Sequence, residues 1–393
     1  MTETLPTART DPFDPPREML DDPRPIRRFT FADGHEGWLV TSYELARAVL
    51  ADLRFSSAMD RRRALIRRPD VEGLRAGAAA PPGFFIGMDP PDHTRLRKLL
   101  TGQFTVRRMK ALEPRVEEIV AAHLDAMAQA GPPVDLVSAF ALPIPSLVIC
   151  ELLGVPYRDR ERFQRDSHTL LALDSPQEAA AAAMGSMMSY LAELVEHKHA
   201  EPAEDLISGL VTGGELSTDE TVGVAFLLLV AGHETTANML GLGTFALLTQ
   251  PDQAQALREG RVDAANAVEE LLRYLTVIQF GTTRTALEDV ELGGELIRAG
   301  DSVGVYLPTA NRDSARFAGA DRLDLSADAH GHLTFGHGVH QCLGQQLARI
   351  EMRVAYPALL RRFPTLRLAV PPEEVPLRTD MSIYGVHRLP VTW

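Results

Sequence analysis

The hydrophobic pattern of the chain is strongest near its middle. Residues 222–230 are apolar on all sides of a helical projection, which predicts a central helix that is buried all round. Ser217 and Glu220 form a capping box at its start, and Pro251 marks its end. Roughly 32 residues at 1.5 Å each give a helix of about 48 Å, which is long enough to cross a whole domain.

Shorter patterns predict the remaining elements. Apolar residues flank the turn dipeptide Asp33-Gly34, so we expect a hairpin there. Helical periodicity covers most of residues 90–272. The predicted fold class is therefore mainly α with a small β region. The predicted strands are 29–31, 38–40, 290–292 and 302–306.

Two segments lack periodicity. Residues 1–25 are predicted to be an irregular arm, and residues 56–88 a long flexible loop with five arginines between Arg61 and Arg68. Loops of this length in a compact chain usually serve a function. No repeat or long linker divides the sequence, so residues 1–393 are predicted to form a single domain.

Composition narrows the class of protein. With 53 acidic and 40 basic residues, the net charge is −13, which disfavours nucleic-acid binding. Two cysteines are too few for a disulfide framework and favour a reducing compartment. No apolar run near the N-terminus approaches a signal peptide or a membrane anchor. We therefore expect a cytoplasmic protein without a membrane span.

Polar residues interrupt the central helix at Gly232, Glu234, Thr235 and Asn238. Such residues are costly in a buried helix unless they are paired or hydrated. One interpretation is a structural pair between Glu234 and Asn238, which are four residues apart. The other is an acid and an alcohol in a groove opened by Gly232, where they could relay protons to a bound ligand.

The two cysteines have different surroundings. Cys150 lies in the apolar run 147–150 and is predicted to be a core residue. Cys342 follows a glycine-rich segment and precedes helical periodicity, so it is predicted to be a thiolate at a helix N-terminus that binds a soft metal. Zinc is the alternative, although no CxxC or HExxH motif is present. The nearby candidate ligands are His330, His332, His337 and His340.

Residues 335–344 resemble the cysteine-loop signature of the cytochrome P450 family, with its Phe, Gly, His, Cys and Gly at the usual spacing. Residues 231–236 resemble the family's oxygen-activation motif, and Glu270 with Arg273 resembles its Glu-x-x-Arg pair. The resemblance covers essentially the whole chain and is nearest to soluble actinobacterial members. It implies the family's triangular prism of helices, with a long central helix over a haem.

The resemblance also implies site residues. Cys342 would be the iron ligand of heme b, while Glu234 and Thr235 would be the catalytic residues that deliver protons. His93, Arg97, Arg284 and His340 resemble the ligands of the haem propionates, and Phe335 the ring beside the cysteine sulfur. Other residues expected to contact the cofactor are Ala231, Gly232, Gly336 and Gly344.

The implied reaction inserts one oxygen atom from O2 into a C–H bond of an apolar organic substrate. Electrons would come from NAD(P)H through a ferredoxin and its reductase, because the chain has no GxGxxG unit of its own. A macrolide or other polyketide, a sterol, a terpenoid or a xenobiotic would suit as substrate, and the protein is expected to be a monomer. The alternatives are a peroxide-driven haem-thiolate enzyme, a non-catalytic partner protein and a zinc hydrolase.

Several finer expectations concern individual residues. The family's usual arginine is replaced by Ala327, so Arg322 is predicted to support Glu270 and Arg273. The arginine-rich loop is either a solvated lid or a clamp for an anionic substrate. A cationic ferredoxin-docking face is predicted from Lys98, Arg107, Arg108, Arg349 and Arg353. The predicted substrate-pocket residues are Phe84, Phe85, Ile86, Phe226, Val230, Ala231, Ile278, Phe280, Ile383 and Tyr384.

Overall fold

The computed structural model describes residues 5–66 and 77–393. Helices dominate these residues, as the sequence predicts. The α-helices are α1 (Arg17–Leu20), α2 (Tyr43–Ala51), α3 (Asp92–Thr101), α4 (Val106–Ala130), α5 (Pro143–Leu153), α6 (Arg160–Leu171), α7 (Gln177–Ala200), α8 (Leu206–Gly213), α9 (Thr218–Thr249), α10 (Pro251–Arg258), α11 (Ala264–Leu275), α12 (Leu307–Ala310) and α13 (Gln345–Arg362).

Within the described residues, the β region consists of three small sheets. The strands are β1 (Ile26–Thr30), β2 (Glu36–Val40), β3 (Phe55–Ser56), β4 (Val134–Asp135), β5 (Thr282–Ala286), β6 (Val290–Leu292), β7 (Glu295–Ile297), β8 (Ser302–Val305), β9 (Arg367–Leu368) and β10 (Pro390–Thr392). The largest sheet has five strands in the order β1-β2-β8-β5-β3, and within it β2 and β8 pair in parallel while the other pairs are antiparallel. The predicted hairpin is confirmed, since Ile26 pairs with Val40 and Thr30 with Glu36.

Helix α9 is the predicted central helix. It spans 32 residues, and both hydrogen bonds of the Ser217–Glu220 capping box are present. It packs against six other helices, α5, α7, α8, α10, α11 and α13. It is long and apolar enough to cross a membrane, but 78% of its most apolar window is buried inside the protein. Its apolar character therefore reflects its place in the core.

The N-terminal arm is largely irregular but is packed against the core. The Phe13 ring lies 4.9 Å from the ring of Phe245 on α9, centroid to centroid. Asp14 forms a 2.9 Å ion pair with the buried Arg312. The Tyr384 hydroxyl donates a 2.7 Å hydrogen bond to the carbonyl of Pro12. The arm therefore joins the beginning of the chain to the central helix and to the C-terminal segment.

The predicted loop begins on the five-stranded sheet. Strand β3 pairs with β5, and the Thr285 hydroxyl donates a 2.8 Å hydrogen bond to the carbonyl of Arg61. In the described parts of the loop, no helix or strand occurs between Ser56 and the short 3-10 turn Phe85–Gly87. Arg67 and Arg68 lie outside the described residues, so the structure places only part of the arginine-rich segment.

The Glu270–Arg273 ion pair is buried, with 2.7 Å between Arg273 Nε and Glu270 Oε2. The predicted substitute, Arg322, has an exposed side chain and contributes its backbone carbonyl instead, which accepts a 3.1 Å hydrogen bond from Arg273. The prediction of a side-chain contact from Arg322 is therefore wrong. Backbone groups are sufficient to hold this ion pair, because a carbonyl accepts a hydrogen bond without needing a counter-charge. Arg273 also donates to the carbonyls of Asn311 and Ala320, and the N–H of Asp324 donates to Glu270.

Candidate active site

The cysteine loop is shaped by two glycines and one backbone hydrogen bond. Gly336 and Gly338 have φ values of +68° and +72°, a region that favours glycine. A Cβ on Gly338 would lie 2.3 Å from the carbonyl oxygen of Leu50, so α2 leaves no room for a side chain there. The Cys342 N–H donates a 2.8 Å hydrogen bond to the carbonyl of Phe335, which closes the loop.

The Cys342 thiol is accessible, but protein surrounds it closely. This burial raises the pKa of Cys342, although the N–H groups of Gly344 and Gln345 and the guanidinium of Arg97 act in the opposite direction. Helix α13 begins at Gln345, two residues later than the periodicity predicts. That Cys342 is a thiolate stays a prediction, and the N–H groups of Gly344 and Gln345 are the backbone contacts that favour it. A bound cation would have to supply the remaining stabilisation of the anion.

A packed set of side chains lies behind the loop. The Arg349 guanidinium is 4.5 Å from the centre of the Phe335 ring and forms a 2.6 Å ion pair with Glu269. Burial opposes ionisation of Glu269, but His332, with Nε2 3.2 Å from Oε2, and the hydrogen-bonded Arg349 hold its pKa down to about 2. Phe335, the predicted neighbour of the sulfur, is thus fixed in place by a cation on α13.

A buried hydrogen-bond network that the sequence did not reveal connects the loop to the Glu270–Arg273 pair. The Asn311 amide donates to the hydroxyls of Thr276 and Thr334 at 2.9 and 3.0 Å, and its Oδ1 accepts from the N–H of Leu333 at 2.7 Å. The carbonyl of Asn311 accepts from Arg273. Asn311 therefore links the ion pair by hydrogen bonds to the segment that precedes Cys342.

Cationic and imidazole side chains gather beside the loop. His93 on α3 and His340 are 4.1 Å apart between ring centroids. Both His93 ring nitrogens and Nδ1 of His340 are buried without a hydrogen-bond partner among residues 5–66 and 77–393. Arg97, one turn after His93, donates to the carbonyl of Gln341 and so contacts the cysteine loop directly. Burial and the neighbouring positive charges hold the pKa of His340 down at about 3.

Arg284 on β5 belongs to the same group. It is 5% exposed, and its Nη1 donates to the hydroxyl of Thr282 and the carbonyl of Thr283 at 3.1 and 2.9 Å. Burial, together with the charge of Arg62, lowers the pKa of Arg284 to about 10. Orphaned imidazole nitrogens and desolvated guanidinium groups are donors that suit a carboxylate-bearing ligand.

The polar turn of α9 is more exposed to solvent than the rest of the helix. Ala231 is exposed and Thr235 partly so, whereas the turns on either side are buried. The Thr235 hydroxyl donates a 2.8 Å hydrogen bond to the carbonyl of Ala231. A Cβ on Gly232 would lie 2.8 Å from Ile149 of α5, so this glycine permits close packing of two helices. The groove opened by Gly232 stays a prediction.

Glu234 is buried in an ion pair that the sequence did not indicate. Its Oε2 lies 3.0 Å from Nη2 of Arg378, and both side chains are less than a tenth exposed. The predicted contact with Asn238 is also present, because Nδ2 donates to the carbonyl of Glu234 at 2.8 Å and lies 3.3 Å from Oε2. His233 Nε2 is 3.9 Å from the other carboxylate oxygen. The structural pair and the accessible Thr235 therefore coexist on one helix.

The predicted pocket residues divide into three groups. Phe84 and Phe226 stack at 5.4 Å, and Ile86 is 43% exposed close to them in sequence. Tyr384 is fully buried, with Arg9 stacked on its ring and its hydroxyl directed at the N-terminal arm. Tyr384 and the buried Phe280 thus belong to the core around the arm. The remaining candidates are Phe85, Val230, Ala231, Ile278 and Ile383, of which Ile278 and Ile383 pair through their backbones.

The arrangement fits a haem. An accessible cysteine sulfur would bind the iron, the exposed turn at Ala231 and Thr235 would face the ring, and the cluster around His93, Arg97 and Arg284 would neutralise its propionates. Elsewhere in residues 5–66 and 77–393, no group of three or more histidine, cysteine or acidic side chains is placed to hold a metal ion. The zinc alternative therefore has no support in the described residues.

Comparisons with known proteins identify relatives over the full length. A sequence model described as Cytochrome P450 matches residues 264–391. Cytochrome P450 105C1 from a Streptomyces species is 49% identical over 99% of this chain and 98% of its own. The crystal structure of CYP105P1 in complex with filipin I has a TM-score of 0.92 at 44% identity, covering 100% and 99% of the two chains. The mycinamicin VIII C21 methyl hydroxylase MycCI from Micromonospora griseorubida, bound to mycinamicin VIII, has the same TM-score at 38% identity and full coverage of both.

Proposed function

This chain belongs to the cytochrome P450 family and is a haem-containing monooxygenase of it, and we propose that it hydroxylates or epoxidises an apolar natural product with electrons from a ferredoxin. The observation that carries this proposal is the combination of an accessible Cys342 sulfur in a closed loop with an accessible Thr235 on an otherwise buried helix. Helix α13, which follows Cys342, packs against that helix.

The haem, when bound, supplies the oxidising chemistry that inserts one oxygen atom of O2 into the substrate. Cys342 would hold the iron through its sulfur, and a thiolate ligand would supply the electron density that favours O–O cleavage. Phe335 and its contact with Arg349 hold the loop around the sulfur in one geometry. The N–H groups of Gly344 and Gln345 stabilise negative charge on the sulfur.

Proton delivery is assigned to Glu234 and Thr235. The Thr235 hydroxyl is partly exposed and can turn from the carbonyl of Ala231 to a ligand, passing on a proton from the adjacent acid. Glu234 would have to leave its ion pair with Arg378 and take up a proton from solvent before donating it, because a carboxylate bound to a guanidinium accepts hydrogen bonds and cannot donate one. Arg378 thus keeps the acid close to the site between turnovers.

The substrate is proposed to be a polyketide macrolide or a compound of similar size and polarity. The support is indirect: two of the similar structures contain filipin I and mycinamicin VIII, and the candidate pocket residues are apolar. Difference spectra of the haem on addition of macrolides, sterols and terpenoid acids would identify the class. A macrolide that shifts the spectrum at micromolar concentration would support the proposal, and binding by terpenoid acids alone would redirect it.

The source of oxidant and electrons distinguishes a ferredoxin-dependent monooxygenase from the alternatives. We expect product with NADPH, ferredoxin and ferredoxin reductase, and at most traces with hydrogen peroxide alone, because proton-delivery residues serve a reaction that starts from O2. Faster turnover with peroxide than with the complete electron chain would indicate a peroxide-driven enzyme. Haem binding without product under either condition would indicate a non-catalytic protein. A cytoplasmic monomer is proposed in either case.

The ferredoxin is proposed to dock on the cationic surface formed by α3 and the start of α4. Lys98, Arg107 and Arg108 are exposed there. By contrast, Arg349 is ion-paired with Glu269, and Arg353 forms a 2.9 Å ion pair with Glu113. Because their charges are already paired, Arg349 and Arg353 attract an acidic partner less strongly, although both were predicted for the same face. The proposed docking surface therefore contains fewer available cations than the sequence predicted.

Charge reversal tests this surface. Arg108→Glu should slow ferredoxin-driven turnover about three- to tenfold at low salt, because it removes electrostatic attraction, and the deficit should shrink as salt screens the charges. Arg367→Glu on β9, also exposed, is the matched control with the same charge change on another surface. Equal slowing by both variants, or slowing that does not depend on salt, would contradict docking at this site.

A further inference from the structure

His233 precedes the proposed catalytic acid on α9 and is completely buried. Its exposed fraction is 0%, and its ring packs edge-on against Phe163 of α6, with 5.3 Å between ring centroids. Nδ1 lies 2.7 Å from the carbonyl oxygen of Leu229, one turn earlier on the same helix. Because a carbonyl oxygen only accepts hydrogen bonds, the hydrogen of the neutral ring must be on Nδ1. The lone pair of the neutral imidazole is therefore on Nε2.

This lone pair lies beside the carboxylate of Glu234. Nε2 of His233 is 3.9 Å from Oε1 of Glu234, and it has no hydrogen-bond partner among residues 5–66 and 77–393. A buried acceptor without a donor is unfavourable. Ionised Glu234 cannot satisfy it, since a carboxylate has no hydrogen to donate. Protonated Glu234 can, because its O–H needs to approach Nε2 by only about 1 Å to reach the length of an ordinary hydrogen bond.

The other oxygen of the same carboxylate has a partner of the opposite kind. Nη2 of Arg378 is 3.0 Å from Oε2 of Glu234, so a cation holds the ionised form. Protonation of Glu234 removes the negative charge on which this ion pair depends. His233 itself stays neutral, because burial lowers the pKa of its ring further than the charge of Glu234 raises it. The ionised acid is therefore matched to Arg378 and the neutral acid to His233.

The remaining titratable groups near Glu234 come from α6 and from the C-terminal segment, and they are Arg378, His168, His387 and Asp380. His168 is exposed, and its ring lies 6.3 Å from that of His387, whose Nε2 is 2.8 Å from Oδ1 of Asp380. These groups influence Glu234 through their charge. Of the histidines among residues 5–66 and 77–393, only His233 has a ring nitrogen within 4 Å of the Glu234 carboxylate.

We propose that His233 is a positioning residue that accepts a hydrogen bond from protonated Glu234 and so holds the acid between proton uptake and proton delivery. This inference rests on the proposed function, because it requires that Glu234 supplies protons. Glu234 takes one proton from an acid in solvent, leaves Arg378 and bonds to Nε2 of His233. It then passes that proton to Thr235 and returns to Arg378 as the carboxylate, so each proton taken up is passed on.

Infrared difference spectra of the holoprotein during acidification test the contact directly. The carbonyl band of neutral Glu234 is the one that Glu234→Gln lacks. His233→Phe keeps a ring against Phe163 but removes the acceptor, so the band should move to the higher frequency of a carboxyl group with one hydrogen bond fewer. His233→Gln offers an amide oxygen as acceptor and should keep the band near its wild-type frequency.

His123→Phe is the matched control. Nδ1 of His123 on α4 lies 2.8 Å from the carbonyl oxygen four residues earlier, as that of His233 does. This variant therefore loses the same bond to the helix backbone, but at a position away from Glu234. Its carbonyl band should stay at the wild-type frequency. An equal shift in His123→Phe and His233→Phe would overturn the inference.

The pH dependence of product formation is the second measurement. Without the hydrogen bond, Glu234 loses its proton more easily, so the pH above which turnover falls should be about half to one unit lower in His233→Phe. The rate at lower pH should stay near that of the wild type. A band or a pH profile that is unchanged in His233→Phe would overturn the inference. A wild-type protein that forms no product with the complete electron chain would instead contradict the proposed function, and the infrared band would still report the contact with His233.

Discussion

Replacing Cys342 with alanine is expected to abolish the red-shifted Soret band of the reduced protein with carbon monoxide, together with product formation. The band would require a thiolate ligand to the iron, and Cys342 is one of only two cysteines in the sequence. The rest of the loop should persist, because its closing hydrogen bond uses the Cys342 backbone N–H and its shape depends on Gly336 and Gly338. Product should fall below detection, a loss of at least about a thousandfold, since the thiolate supplies electron density for O–O cleavage.

Cys150→Ala is the matched control for this experiment. Cys150 is 1% exposed in α5, where burial raises the pKa of its thiol to about 12. It cannot approach the loop without unfolding α5, so its removal should leave the carbon monoxide spectrum unchanged. If the Cys342→Ala protein kept the red-shifted band, or the Cys150→Ala protein lost it, the assignment of the iron ligand would be wrong.

Thr235→Ala is expected to consume NADPH at a rate near that of the wild type while releasing peroxide in place of product. The variant keeps the apolar surroundings of the site but loses the hydroxyl that we propose passes protons inward. Glu234→Gln should slow product formation by about a hundredfold, because it removes the acid. It should also cost stability, since Arg378 would remain buried without its partner. Product, peroxide and NADPH are measured together in the same reaction.

Thr244→Ala provides the comparison for the hydroxyl. Thr244 lies on the same helix and its hydroxyl donates to the carbonyl four residues earlier, as that of Thr235 does. It is 1% exposed, so it cannot reach a ligand. A similar release of peroxide by Thr235→Ala and Thr244→Ala would mean that helix geometry controls coupling and would remove the proton-delivery role from Thr235.

Local signals in the sequence predicted much of the fold. The capping box of α9, the hairpin at Asp33-Gly34 and the glycines before Cys342 each depend on residues close together in the chain, and each appears in the structure. His93 and Arg97 could be paired for the same reason, because a separation of four residues places them on one face of α3. The resemblance to a known family then supplied roles that spacing alone does not.

Contacts between segments that are distant in the chain could not be predicted from the sequence. Glu234 and Arg378 are separated by 144 residues, and Asn311 reaches Leu333 and Thr334 across a loop. Neither Arg378 nor Asn311 lies in a distinctive motif. The error at Arg322 has the same origin, because a side chain was expected where the backbone carbonyl makes the contact. Polar partners of a buried group can be backbone atoms, which every residue type provides.

The packing of residues that are far apart in sequence has a consequence for synthesis on the ribosome. Pro12 binds Tyr384 across 372 residues, and Arg378 is 144 residues from its partner Glu234. The N-terminal arm must therefore wait, without these contacts, until residues 378–384 have left the exit tunnel. Contacts of such long sequence separation form late in folding. A nascent chain can build the central helix early, but Glu234 acquires its buried counter-ion only after Arg378 has emerged.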